Sequence, residues 1–391
     1  MPTITPAHMI TPSFLRGVIE SRPSNARSRQ NYIGTKLLPY QSFPTQKVLW
    51  DIYYTENNLA GVYDRKGQAI PGDDVLFSTQ WATLADIKVS RHLDPDIARI
   101  IRQPGQVSMY SGAGGAPGRV ALQDTASEVK RLMGWCEDAI DSQAEYFAMQ
   151  ALTEGQINWP PLDADGNAIA DPMPHWNAGM DLAFPFALPA AQNQAATTLV
   201  GYNSRNGTQK IWSASDANPM YDLEVINEYM IETHGVSLRG GTVYMSESIM
   251  SRLATNAAII AWFAGVNKEQ PGARSFIDVE QLKSGIKSNL GWNLEFYDAR
   301  WTFRERNAGT KATVQSVPFM SRSKILIVPP GEPVGVMGSS EQMNENKQWV
   351  AGKLPWSYQT PKPPYEIEMG INMTCWPMFS RYEWFVLDVL N

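Results

Sequence analysis

The chain has 391 residues, enough for two domains, and its 43% hydrophobic content is ordinary for a globular protein. It carries 33 Lys and Arg against 39 Asp and Glu, a net charge of −6, and no run of basic residues, which argues against sequence-specific nucleic-acid binding. Residues 1–17 lack the pattern of a signal peptide and no apolar run could span a bilayer, so export and membrane insertion are not expected.

Cysteines and aromatic residues narrow the class of protein further. Cys136 and Cys375 are too few for a disulfide framework and are predicted to be reduced, buried residues of a cytosolic protein. The 13 Trp, 15 Tyr and 13 Phe fit either large protein interfaces or carbohydrate-binding clefts. Composition alone does not choose between these two uses.

The first segment, residues 1–47, is rich in Pro, Ser, Thr, Asn and Arg and has no hydrophobic period, which predicts an extended arm and not a core element. The arm is either a frayed tail or a segment anchored on a neighbouring surface. Its apolar anchors would be Phe14, Leu15, Tyr32, Leu37, Leu38 and Tyr40.

Residues 48–92 are β-rich at both ends, with VLWDIYY and VLFSTQWATLADIKVSRHL on either side of a polar tip. This pattern predicts a long hairpin, the alternative being a flexible surface loop. A hairpin of this length cannot bury both faces against its own chain, so its edges and apolar residues need a partner subunit.

A long amphipathic helix is predicted over residues 125–154. Apolar residues recur every three or four positions, Thr125 and Glu128 have the spacing of a capping box, and Gly155 is suited to a left-handed stop. Such a helix measures about 43 Å and acts as a strut along which shorter pieces pack. The glycine-rich stretch at 111–118 is interpreted as a hinge or linker, since no Gly-Lys-Ser/Thr follows to form a phosphate loop.

From residue 216 the pattern alternates between helices and strands. Asn218 and Asp278 are predicted N-caps, Gly235 and Gly291 are predicted stops, and SIMSRLATNAAIIAWFAG is predicted as one helix. WNLEFYDARWTF, ATVQSVPFM and KILIVPP are predicted strands, the first two forming a hairpin. The segment YEIEMGINMTCWPMFSRYEWFVLDVLN reads as strands that return to earlier parts of the chain.

No motif in the sequence carries chemistry. The four histidines are scattered, no zinc spacing or nucleophile elbow occurs, and the carboxylates between 163 and 171 lack the glycine position of a calcium loop. We therefore expect no catalytic residue, no metal site and no cofactor, and we do not expect an enzyme.

The order of elements resembles the Hong Kong ninety-seven fold of tailed-bacteriophage major capsid proteins, and in particular the lambda-type major capsid protein E family. The resemblance is carried by TQKVLWDIYY, EVKRLMGWCEDAIDSQAEYFAMQALTEGQI, DLEVINEYMIETHGVSLRGGTVYMSESIMSRLATNA, WTFRERNAGTKATVQSVPFMSRSKILIVPPGEPVGVM and WPMFSRYEWFVLDVLN. It implies an α+β protein with an N-terminal arm (1–47), an extended hairpin loop (48–92), a peripheral domain with a spine helix (93–215), an axial domain (216–350) and returning C-terminal strands (351–391). The insertion at 331–364 has no assigned role.

The resemblance implies hexamers and pentamers that form an icosahedral head around double-stranded DNA, assembled in the cytoplasm of a bacterial host. The implied partners are other copies of the chain, a separate scaffolding protein, a portal, packaged DNA contacted without sequence specificity and a decoration protein, with no membrane. Expected inter-subunit contacts are Val48, Trp50, Ile52 and Tyr54 on the first strand and Tyr63, Asp64, Arg65 and Lys66 at the tip. The expected packing residues of the spine helix are Val129, Leu132, Cys136, Ile140 and Phe147.

Two alternatives remain open at this point. A tail-tube or other virion protein would share the aromatic composition but would not need so long a helix. A carbohydrate-binding protein would use Trp50, Trp81, Trp159, Trp176 and Trp356, and it would need a cleft with paired carboxylates.

Overall fold

The computed structural model describes residues 12–20, 31–53, 77–93, 117–159, 182–199, 209–266, 275–305, 313–331, 333–344, 347–359 and 367–390. Its helices are α1 (Pro12–Glu20), α2 (Gly34–Leu37), α3 (Pro117–Thr153), α4 (Pro219–His234), α5 (Glu247–Thr255), α6 (Ala257–Val266) and α7 (Val279–Leu290), with a 3₁₀ turn at Ala190–Gln192. The first strands are β1 (Tyr40–Phe43), β2 (Lys47–Tyr53), β3 (Phe77–Thr83), β4 (Ala85–Leu93), β5 (Gln156–Trp159), β6 (Leu182–Pro185), β7 (Asn193–Ala195), β8 (Thr242–Met245) and β9 (Asn293–Phe296). The remaining strands are β10 (Arg300–Glu305), β11 (Thr313–Pro318), β12 (Lys324–Val328), β13 (Val336–Ser340), β14 (Gln342–Met343), β15 (Trp349–Val350), β16 (Leu354–Gln359), β17 (Ile367–Met378) and β18 (Phe385–Asp388).

Two five-stranded sheets organise these elements. In the spine sheet, β17 pairs with β4 along one edge and with β16 and β13 along the other, and β1 joins β13 in parallel. The second sheet has the order β7-β18-β12-β8-β9. Two-stranded pairs are formed by β2 with β3, β5 with β6, β10 with β11 and β14 with β15.

The long helix α3 is present and is longer than predicted. It spans 37 residues from Pro117, about 55 Å, because proline is well tolerated in a first helical turn. The predicted start at Thr125 is wrong: Glu128 lies inside the helix, where Arg131 Nε donates to its carboxylate at 2.7 Å. The predicted stop is correct, since Gly155 has φ +67°. Among the described helices, none has the length and apolarity that crossing a bilayer requires.

The prediction of an extended arm over 1–47 does not hold for its described parts. Leu15, Val18 and Ile19 of α1 are buried in the same core as α3, and β1 is a strand of the spine sheet. The predicted anchors Leu15, Leu37 and Leu38 are therefore covered within their own chain, whereas Tyr40 is 42% exposed.

The helix ends of residues 218–291 follow the sequence signals closely. The side chains of Asn218 and Asp278 accept backbone N–H groups of the first turns of α4 and α7, and Gly235 and Gly291 end these helices in the left-handed region. One prediction here is wrong: the single helix predicted over 248–265 is two helices, α5 and α6. They part at Asn256, whose carboxamide oxygen accepts two backbone N–H groups at the start of α6.

Two long-range pairings also differ from the predictions. Only β2 and β3 form the hairpin predicted for 48–92, because β4 leaves it to pair with β17. Within 351–391, β17 returns to the spine sheet, but β18 enters the second sheet between β7 and β12.

The second sheet separates two hydrophobic cores. Alternate residues of β12 point to opposite faces, as in any strand: Leu326 and Val328 join the core around α3, whereas Ile325 and Ile327 join the core under helices α4 to α7. The two cores are called the spine core and the α/β core below.

Candidate assembly surface

The inner face of the β2–β3 hairpin belongs to the spine core. Val48, Ile52 and Ala82 are buried there, and the ring of Trp50 packs at 6.4 Å from that of Phe184. Val48 and Ile52 were expected to contact a neighbouring subunit, but this chain already covers both. The correction follows from strand alternation, since residues 48, 50 and 52 share one face.

The outer face of the same hairpin is exposed and apolar. Leu49 and Trp81 lie directly opposite each other in the ladder and are 67% and 68% exposed. Tyr53 on the same face is 45% exposed. Between them, Asp51 accepts a hydrogen bond from the Thr79 hydroxyl at 2.7 Å. We call Leu49, Tyr53 and Trp81 the hairpin patch.

The remaining hairpin residues predicted to contact a neighbour, Tyr54 and the tip residues Tyr63, Asp64, Arg65 and Lys66, lie outside the described residues.

Sequence reasoning missed a second exposed apolar pair, in the insertion that had no assigned role. Met343 on β14 and Trp349 on β15 are cross-strand partners, 56% and 61% exposed, and are called the insertion patch. Asn372 of β17 donates to the Gln342 side chain at 2.9 Å, which fixes the base of this small hairpin to the spine sheet. The available signal was the alternation QMNENKQWV, in which two large apolar residues flank a polar turn.

The apolar stripe of α3 is covered over its described side chains. The predicted packing residues Val129, Leu132, Cys136, Ile140 and Phe147 are all buried in the spine core. Burial raises the pKa of the Cys136 thiol to about 11, so this cysteine is a neutral packing residue and not a nucleophile.

Glu145 on α3 is a buried carboxylate that joins three parts of the chain. It accepts the backbone N–H groups of Ile33 at 3.0 Å and Gly34 at 2.8 Å, and the Tyr297 hydroxyl at 2.5 Å. A Cβ on Gly34 would lie 2.3 Å from the Glu145 carboxylate, so only glycine allows this approach. Burial raises the pKa of Glu145 to about 7, although the three hydrogen bonds oppose the shift.

Two partly buried lysines tie other segments to α3. Lys353, in the insertion, lies 3.1 Å from the carboxylate of Glu137 and 2.6 Å from that of Asp141. Lys324 on β12 lies 2.7 Å from the carboxylate of Glu154, just beyond the C-terminal end of the helix. These ion pairs attach the insertion to the middle of α3 and the second sheet to its C-terminal end.

The described residues contain no group of three or more His, Cys, Asp or Glu placed to hold a metal ion. His92 lies on a strand of the spine sheet and His234 at the end of α4, while His8 and His175 lie outside the described ranges. The notable surface features are instead the two exposed apolar patches.

Comparison with known proteins finds a family similarity over the first part of the chain. Residues 15–201 match the family model described as phage major capsid protein E. None of the curated protein sequences matches the chain.

Among solved structures, a prophage protein of E. coli CFT073 assigned as its capsid protein is similar with a TM-score of 0.56 and 12% identity, covering 97% of this chain and 99% of that one. A phage-related protein from Bordetella bronchiseptica RB50 is similar with a TM-score of 0.47 and 12% identity, covering 97% and 96%. A virus-like particle protein from Pyrococcus furiosus is similar with a TM-score of 0.46 and 8% identity, covering 95% and 97%. The fold assignment rests on the prophage protein, whose TM-score exceeds 0.5.

Proposed function

We propose that the chain is a member of the phage major capsid protein E family, that it forms the icosahedral capsid of a phage, and that the hairpin patch is a subunit contact of the shell. The α+β architecture, with its long spine helix and β2–β3 hairpin, is the Hong Kong ninety-seven capsid fold. The function is mechanical, since interfaces repeated over many copies stabilise a shell that no single contact could hold.

The observation that carries this proposal is the contrast between the two faces of one hairpin. The inner face packs into the spine core, whereas Leu49 and Trp81 on the outer face are more than 60% exposed. An aromatic side chain buries about 150–250 Å² in a contact, so the patch would supply a substantial part of the roughly 800 Å² that each partner contributes to a standard interface.

The wider assembly is part of the same proposal. Copies associate as hexamers and pentamers in the host cytoplasm around a separate scaffolding protein and a portal, and a decoration protein binds the finished shell. The shell encloses double-stranded DNA and touches it without sequence specificity, which agrees with the net charge of −6. We propose no catalytic activity and no cofactor.

The carbohydrate-binding alternative gains no support from the tryptophans on which it rested. Of these, Trp81 is exposed on the hairpin, whereas Trp50 and Trp159 pack against the spine core. Trp356 lies against Gly370 of the neighbouring strand, and Trp176 lies outside the described residues.

The test is to place a charge in the hairpin patch. Trp81→Glu should leave the isolated subunit as stable as the wild type, because the side chain is exposed, yet abolish shells in negative-stain electron microscopy and sedimentation. Ser284→Glu, at an exposed position of α7, adds the same charge elsewhere and should assemble normally. Both are compared with the wild type, with and without a co-expressed scaffold. Normal shells from Trp81→Glu would overturn the proposed contact.

A further inference from the structure

We propose that the hairpin patch of one copy docks onto the insertion patch of a neighbouring copy, an inference that rests on the proposed subunit contact and names its receptor. The hairpin patch is Leu49, Tyr53 and Trp81, and the insertion patch is Met343 and Trp349. The occupant of each patch is thus a second copy of this chain.

The two patches have matching construction. Each lies on a two-stranded antiparallel ladder and presents a directly opposed pair of one tryptophan and one aliphatic or thioether side chain, Trp81 with Leu49 and Trp349 with Met343. All four side chains are more than half exposed, so neither patch covers the other within one chain. Burying such pairs against each other is favourable, at about 25 cal/mol per Å² of apolar surface.

Ring symmetry requires two different patches. A patch that binds its own copy on a neighbour makes an isologous contact, which closes after two subunits. Pentamers and hexamers need a heterologous contact, in which one surface of each subunit meets a different surface of the next. A chain that forms capsomer rings therefore needs a receptor for the hairpin patch, and the insertion provides one of like size and chemistry.

Charges around the two patches are complementary. Lys47 and Asp51 lie two residues before and after Leu49 on the outer face of the hairpin. In the insertion, Glu341 lies two residues before Met343, and Lys347 lies two residues before Trp349 in the turn. Each patch thus has a basic and an acidic group about 13 Å apart along its ladder. Facing the two ladders with β2 and β14 running in the same direction brings Asp51 to Lys347 and Lys47 to Glu341.

Hydrogen bonds join the described residues on the two sides of this turn. Lys347 has φ 58° and donates its backbone N–H to the Asn344 carbonyl at 3.0 Å, and the Asn344 side chain accepts the Gln348 N–H at 2.9 Å. The ion pair of Lys353 with α3 holds the far end of the insertion in place. A surface fixed in this way suits recognition, because little conformational entropy is lost on binding.

Cross-linking of assembled particles tests the docking. Leu49→Cys/Met343→Cys keeps both tryptophans, and a bismaleimide of about 10 Å matches the spacing of two packed strand faces. Because the heterologous contact links each copy to the next, the denaturing gel should show a ladder of covalent oligomers beyond dimers. Either single variant should give at most dimers, and the native cysteines are buried and should not react.

The matched control is Leu49→Cys/Phe276→Cys, since Phe276 is 64% exposed in the α/β region. If both double variants form particles but Leu49→Cys/Met343→Cys gives no more cross-linked oligomers than the control, the docking is overturned. The proposed subunit contact would still stand. If the wild type forms no shells, the proposed function itself fails.

If the cysteine variants do not assemble, exchanging the charges of Asp51 and Lys347 tests the docking instead. Asp51→Lys and Lys347→Asp should each raise the concentration needed for assembly by about tenfold. The double variant Asp51→Lys/Lys347→Asp should restore the wild-type value. Failure of the double variant to recover overturns the docking.

Discussion

The spine core and the α/β core are built from the chain in different ways. The α/β core draws mainly on neighbouring elements between residues 196 and 294, completed by β12 and β18. The spine core collects residues from Leu15 to Val386 and includes parts of α1, the hairpin, α3 and β17. Local signals therefore suffice to recognise most of the first, whereas the second depends on long-range pairing.

The spine core contains a buried carboxylate, Glu145 on α3, that links distant parts of the chain. It accepts hydrogen bonds from the 31–34 segment and from Tyr297. In the α/β core the corresponding buried carboxylate is Asp222, which accepts the Trp212 indole N–H at 2.7 Å. Burial raises the pKa of Asp222 to about 6, so the two carboxylates titrate in different windows.

The largest expected effect is the pH dependence from Glu145. Its pKa is raised by burial from 4.5 to about 7, so the folded protein binds the proton more tightly than the unfolded chain. The stability it contributes is fully present below pH 4.5 and is lost as pH rises to about 7, a decrease on the order of 3 kcal/mol. Urea unfolding of unassembled wild type and Glu145→Gln from pH 4 to 8 measures this, and the variant should lose less stability.

Asp222→Asn provides the control for this comparison. It should flatten the curve between about pH 3.8 and 6 and leave the decline between pH 6 and 7 intact. A Glu145→Gln curve that falls as steeply as the wild type between pH 6 and 7 would contradict the assignment of that window to Glu145.

An intermediate effect is expected where the N-terminal segment meets α3. Gly34→Ala would place a Cβ 2.3 Å from the Glu145 carboxylate and 2.8 Å from the Ala148 Cβ, so it should cost about 1–3 kcal/mol of unfolding free energy. Gly17→Ala, within α1 and with no atom within 4 Å of the new Cβ, should instead stabilise by about 0.5–1 kcal/mol. Thermal unfolding of the two variants should shift in opposite directions, and equal shifts would mean that the arm is not packed as described.

The smallest effect concerns the break between α5 and α6. Asn256 accepts backbone N–H groups of Ala258 and Ile259 and donates to the Ala217 carbonyl at 3.2 Å. Asn256→Ala removes this cap and should lower stability by about 1–2 kcal/mol. Ser284→Ala, on the exposed face of α7, should change it by less than about 0.5 kcal/mol. No loss from Asn256→Ala would show that the helix continues through this position, as the sequence alone predicts.

The sequence predicted correctly those helix ends that are determined by residues at the ends themselves. The caps at Asn218 and Asp278 and the stops at Gly155, Gly235 and Gly291 lie where their residue types predict. The prediction of the helix start at Thr125 was wrong because the Glu128 side chain bonds to Arg131 and does not cap the helix. The spacing of Thr125 and Glu128 alone does not distinguish these two roles.

The assembly surface was predicted only in outline. The pattern of VLWDIYY fixes that residues 48, 50 and 52 share a face, but it does not say which face meets the core, because both carry apolar side chains. Leu49 on the exposed side looks no different in sequence from Val48 on the buried side. Choosing between them requires knowing what covers the hairpin, namely Phe184 and the rest of the spine core, which are distant in sequence.

Strands β17 and β18 follow each other in the chain yet occupy inner positions of different sheets. Neither core can close before both have been synthesised, and at about 5–20 residues per second the stretch from the hairpin to β18 takes roughly 15–60 s to translate. A nascent chain can therefore carry its hairpin for most of that time without a finished body behind it. We therefore expect a chain to become competent to join a shell only after β18 has been made, because both cores include residues of that strand.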